Sequence, residues 1–137
     1  MKALNLDMPA DLDVAGRRAH EIITAYLKAH GRTDTGGCKT FYSPAEWTAR
    51  EAQYGTKSHL VVVYDGDAMC PVFNMDAAYD LDCASYRQTG KTREPYALYE
   101  GMQKKLREAG LYFEECTGWY SAVYSVDPTD SATETDA

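Results

Sequence analysis

Along residues 11 to 30, Ala15, Ala19, Ile22, Ile23 and Tyr26 recur at helical spacing, while Arg17, Arg18, Glu21 and Lys28 take the intervening positions. The pattern predicts a helix with one apolar stripe, capped at Asp11 and ended by Lys28 and Gly31. Gly31 to Lys39, rich in Gly, Thr and Asp, reads as a connection. A second helix follows with a strong start signal: Ser43 as cap, Pro44 in the first turn, Glu46 completing a capping box, and Tyr42 placed to staple onto Trp47. Gly55 is expected to close it after about three turns.

His59 to Tyr64 is a continuous apolar run, rich in β-branched side chains, of the kind found in a strand buried on both faces, so it should be central. Asp65-Gly66 suggests a turn. Because Pro71 lacks an amide donor, the return strand over residues 68 to 73 has to be short or at an edge. Asn74 can cap a helix carrying Met75, Tyr79, Cys83 and Tyr86; residues 87 to 95 form a basic loop; and Tyr99, Met102, Leu106 and Ala109 mark an amphipathic helix ended by Gly110.

Residues 111 to 126 read as a hairpin turning at Thr117-Gly118, with a glycine supplying positive φ. Pairing 116 with 119 would put Leu111, Phe113, Ala122 and Tyr124 on one face and Tyr112, Cys116, Trp119 and Val123 on the other. Both faces are apolar, so either a helix covers each or one stays in water as a partner site. Residues 127 to 137, with four acids and no large apolar side chain, read as a disordered acidic tail after a single α+β domain over 1 to 126. The expected architecture is an antiparallel sheet centred on residues 59 to 64, with the 111 to 126 hairpin and three to four packed helices.

Composition sharpens this picture in two ways. Eleven tyrosines among 137 residues supply apolar area with a polar tip, suited to half-wet cores and recognition surfaces. The net charge of −7 is unevenly spread: residues 59 to 83 hold Asp65, Asp67, Asp76, Asp80 and Asp82 with no Lys or Arg, whereas residues 84 to 110 hold six basic and three acidic side chains. Without clustered Lys and Arg, direct nucleic-acid binding is not expected. The start of the chain lacks the apolar core of a signal segment, no stretch suits a membrane span, and Cys38, Cys70, Cys83 and Cys116 show no close pairing, so a cytoplasmic protein with free thiols is expected.

Candidate chemistry adds little. Gly90-Lys91-Thr92 ends like a phosphate loop, but position 85 is Ser, and in Gly36-Gly37-Cys38-Lys39-Thr40 a cysteine separates glycine from lysine. Asp65, Asp67 and one of Asp76, Asp80 or Asp82 could gather round a hard cation, yet an EF-hand would need ligands where Met69 and Pro71 stand; no metal or cofactor is expected. Glu114 and Glu115, adjacent on a strand, point to opposite faces and cannot act as a glycosidase pair. A thiol from the four cysteines could meet His20, His30 or His59, which keeps a small enzyme or ligand-binding domain using Cys, His or Asp in a pocket as the alternative. The leading expectation is a non-enzymatic binding protein. Its aspartates at 65, 67, 76, 80 and 82 attract a basic surface, and Trp119 with Tyr120 or Tyr112 anchors it. Self-association through the aromatic hairpin face, giving a homodimer, is a third option.

Phe41 to Trp47, Leu60 to Gly66 and Cys116 to Tyr124 together resemble small uncharacterised proteins of phages and mobile elements, over about residues 38 to 126. The resemblance implies a context in which small acidic proteins inhibit host defence, as anti-CRISPR and antirestriction proteins do by occupying the basic groove of a nucleic-acid-binding host protein.

Overall fold

The computed structural model describes residues 5–33, 39–52, 54–64, 69–79 and 97–126. Chain order gives helix α1 (Val14–Ala29), strand β1 (Phe41–Tyr42), helix α2 (Pro44–Ala49), strand β2 (Leu60–Val63), helix α3 (Cys70–Phe73), a helical stretch α4 over 75–79, helix α5 (Ala97–Arg107), and strands β3 (Leu111–Glu115) and β4 (Tyr120–Ser125). The four strands form one antiparallel sheet in the order β1-β2-β4-β3. This is the α+β antiparallel architecture expected from the sequence, with five helices among the described residues where three to four were anticipated.

Strand β2 lies inside the sheet and is buried on both faces: Leu60, Val61 and Val62 are all fully buried. On one face, Leu60, Val62, Phe113 and Val123 meet Ile23, Tyr26 and Leu27 of α1 and Leu98, Met102 and Leu106 of α5 in the main core. On the other face, Val61 and Tyr120 pack under Trp47 of α2 in a smaller cluster. The segment after α2 closes over the same face, where Gly55, at φ 85°, brings its backbone close to Ala122 and Val61. Each face is therefore covered, the second by a short helix and a loop. Toward the β3 edge of that second face, Tyr112 and Tyr124 stack on each other 5.8 Å apart, with the Arg107 guanidinium over Tyr112.

Several local expectations hold. Ser43 and Glu46 form the reciprocal capping box, and Tyr42 packs on Trp47 at 5.0 Å. Lys28 sits in the last turn of α1, and Gly31 takes φ 64° just beyond it. Asn74 caps α4, its Oδ1 accepting from the Ala77 amide at 2.9 Å.

Four local expectations are corrected. The cap of α1 is Asp13, whose carboxylate accepts from the Gly16 amide, while Asp11 accepts from the Ser43 hydroxyl at 2.9 Å. Helix α2 is six residues long, because Glu51 turns the chain at φ 58° well before Gly55. Residues 70 to 73 are helical rather than a return strand: Pro71 lies in the first turn, where a missing amide costs nothing. The hairpin register is shifted by one residue. Glu115 pairs with Ser121, and the amides of Cys116 and Thr117 both donate to the Tyr120 carbonyl. That extra loop residue rotates β4 against β3, so Phe113 faces Val123 while Tyr112 faces Tyr124. Gly118 therefore needs no positive φ, and has none.

Strand β3 is an edge of the sheet, a position that invites pairing with other chains. Here α5 blocks it. Gln103 donates to the Phe113 carbonyl at 2.7 Å and accepts from the Phe113 amide at 2.9 Å, acting as a surrogate strand partner. Among the described residues no helix is long and apolar enough to cross a membrane.

Candidate hairpin-tip site

The β3–β4 loop, residues 116–119, is tied to its neighbours on two sides. Tyr64, the last described residue before the 65–68 segment, donates its amide to the Trp119 carbonyl at 3.0 Å. Asn74 Nδ2 donates to the Gly118 carbonyl at 3.1 Å, which fixes the start of α4 against the loop. The Trp119 indole is held at its edge. It leans on Tyr120 at 4.6 Å and on Trp47 at 6.0 Å, yet remains 40 % exposed. A cleft of about 420 Å³ lies elsewhere, between α1 and α5, but the one at the tip, about 300 Å³, is lined by Trp47, Arg50, Ala52, Thr117, Trp119 and Tyr120. Arg50 closes its rim by stacking on Trp47 at 4.9 Å.

Carboxylates gather beside the same loop. Glu115 accepts from the Met75 amide and from the Tyr99 hydroxyl, each at 3.3 Å. Burial pushes its carboxyl above the ordinary glutamate value; these two hydrogen bonds oppose the shift, and the nearby Asp76 charge adds to it. Asp76 is exposed on α4, close enough for its charge to act on Glu115, whereas Glu114, the neighbouring residue on β3, is exposed on the opposite face of the sheet. Like charges held together this way gain from an approaching cation, which relieves their repulsion.

Of the residues expected to bind a partner, Trp119 and Asp76 are exposed at this end, and Tyr112 is half-buried on the sheet face, stacked on Tyr124. Tyr120 is different: it is 3 % exposed and donates its hydroxyl to the Tyr54 carbonyl at 3.1 Å, so it supports Trp119 from beneath instead of presenting a surface. Asp65, Asp67, Asp80 and Asp82 lie outside the described residues, as do Cys38, Cys83, the basic loop of 87 to 95 and the tail of 127 to 137. Among the described residues no group of three or more His, Cys, Asp or Glu side chains is placed to hold a metal ion.

Among the described residues, His20, His30 and Cys116 have partners other than a thiol–imidazole pair, while Cys38 and Cys83 lie outside them. His20 bonds the Leu6 carbonyl, His30 packs on Tyr26, and burial with the Glu114 charge pushes the Cys116 thiol up to about 11, leaving it a protonated, poor nucleophile. What sequence reasoning missed is a chain of oxygen partners around His59. Its Nδ1 lies 2.7 Å from Asp13 Oδ2, and its Nε2 lies 2.8 Å from Ser125 Oγ. These residues are far apart in sequence and share no motif. The available signal was topological: an antiparallel partner for the 59–64 strand brings its start to the end of the hairpin.

Comparison with protein-family models, with curated proteins and with solved structures finds no match to this chain, so its own geometry has to carry the functional reading.

Proposed function

We propose that this chain is a binding protein whose hairpin tip engages a basic surface of a partner protein, with Trp119 as the apolar anchor and Asp76 and Glu115 as the described part of an acidic rim. The observation that carries the reading is an indole left 40 % exposed although two aromatic rings and two hydrogen bonds to the loop's carbonyls, one from the Tyr64 amide and one from the Asn74 side chain, fix its loop. Ordering an exposed tryptophan in advance removes much of the entropy cost of using it as an anchor. Charge supports the same choice of partner. Residues 59 to 83 carry five aspartates and no Lys or Arg, and two of them, Asp65 and Asp67, come within three residues after Tyr64, which is bonded to Trp119. Together with the resemblance to mobile-element proteins, this favours an inhibitor of a cytoplasmic host defence protein, one that covers a nucleic-acid-binding groove without itself binding nucleic acid.

Binding kinetics to a short Arg-rich peptide containing one aromatic residue test the reading. Reversing Asp65, Asp76 and Asp82 to Lys should slow association about tenfold at low salt and remove most of its salt dependence. Trp119→Ala should raise the dissociation rate about tenfold or more while leaving the melting temperature nearly unchanged. Wild-type kinetics in both variants would contradict the proposal.

A further inference from the structure

Asp13, His59 and Ser125 stand in an unbroken line of hydrogen bonds at the opposite end of β4 from the tip, and the binding reading makes no use of them. We propose that they form a nucleophilic serine site able to take an acyl group from solvent-accessible carboxylic esters.

The order of atoms is the one such chemistry needs. Asp13 Oδ1 is occupied by the Gly16 amide at 2.7 Å, leaving Oδ2 to face the imidazole. A carboxylate accepts only, so His59 Nδ1 carries the proton of that contact, and in the neutral imidazole Nε2 keeps a lone pair toward the Ser125 hydroxyl. Burial tends to raise the Asp13 carboxyl, but the Gly16 amide, the His59 hydrogen bond and the Arg17 charge bring it below its ordinary value, so it stays ionised at neutral pH.

The imidazole is also fixed through its backbone. The His59 amide donates to the Val123 carbonyl at 2.8 Å, and Gly16 lies so close to the His59 carbonyl that a Cβ there would come within 2.4 Å of the oxygen. Ser125 is exposed, so an ester reaches its hydroxyl from solvent without entering a deep pocket.

The step balances without any further reagent than ester and water. Ser125 Oγ bonds to the acyl carbon as its proton passes to His59 Nε2; the carbon–oxygen bond to the alcohol then breaks, and the alcohol departs with that proton. Water, deprotonated by the same nitrogen, attacks the serine ester, releasing the carboxylic acid and restoring the hydroxyl. Asp13 touches no reacting atom and is a positioning residue.

A fluorophosphonate probe, which reacts with activated serine hydroxyls, tests this on the full chain. Mass-spectrometric mapping should find one adduct, on Ser125, and none on a heat-denatured sample. Ser125→Ala and His59→Gln should each abolish it, and Asp13→Asn should slow labelling at least tenfold while His59→Gln cannot be rescued by Ser125→Cys. An intact, folded wild-type chain that takes no probe on Ser125, or takes it equally after denaturation, overturns the proposal even if a variant fails to fold. Labelling that persists in folded His59→Gln overturns it as well.

Discussion

Trp47→Ala should cost about 3–5 kcal/mol of folding stability, the usual range for removing a buried large aromatic side chain. Trp47 is 2 % exposed and makes ring contacts with Tyr42, Trp119 and Tyr120, while the Arg50 guanidinium lies over it. Among the described residues it is the only large side chain from a helix in the cluster over the second sheet face, and none of similar size is placed to fill the gap. Given a total stability of about 5–15 kcal/mol for a domain of ordinary size, this single change should bring the protein close to unfolding at moderate temperature. Trp47→Phe separates ring packing from polarity. The indole Nε1 is buried without a hydrogen-bond partner among the described residues, and its removal offsets part of the lost volume. Phenylalanine is therefore expected to cost less than half of what alanine does in chemical denaturation. Equal losses would mean that the cluster is held by something other than ring packing.

Gly16→Ala should destabilise the protein by about 1–3 kcal/mol, against the sign that helix propensity alone dictates. In an exposed helix this replacement gains about 1 kcal/mol. Here a methyl group at position 16 would lie 2.4 Å from the His59 backbone oxygen, and that stretch of main chain is pinned by the His59 amide bonded to Val123. The obstacle is main chain, so no rotamer change relieves it; α1 has to tilt away from the sheet. The same movement should lengthen the Asp13–His59 contact. A raised melting temperature for Gly16→Ala would show that α1 packs less tightly on the sheet than this geometry requires.

What could be read from the sequence divides by distance along the chain. Ser43, Glu46 and Tyr42 act within one turn of each other, so the capping box and staple were legible. The burial of Leu60 to Val62 was legible because a continuous β-branched run fits few other places. Pro71 was ambiguous, since a missing amide suits both an edge strand and a first helical turn, and only the packing of Val72 and Phe73 into the main core decides. The hairpin register depended on one loop residue. That slip decides whether Tyr120 or a neighbour points into the second cluster, and hence why Trp119 alone of the pair is left at the surface. His59, Asp13 and Ser125 were not legible as a group, because each is ordinary where it stands: the start of a strand, a helix cap, and the end of a strand.

The exposed tip also explains a division of labour within the fold. Gln103 blocks the β3 edge, and α1 and α5 bury one sheet face, so one edge and one face of the sheet are closed to association. Trp119 is left open under close control from Tyr64 and Asn74. Open, ordered aromatic area beside carboxylates is the combination that favours a cationic protein surface over an apolar one.

The central claim is that partner contact is confined to the hairpin tip, and a two-dimensional NMR titration of the full chain with the Arg-rich peptide tests it most directly. The account predicts that the largest shifts fall on the Trp119 indole and on the amides of Gly118, Asp76 and Glu115, and that they shrink as salt is raised. Shifts centred on the groove between α1 and α5, around Arg18 and Lys105, or spread evenly over the surface, would contradict it.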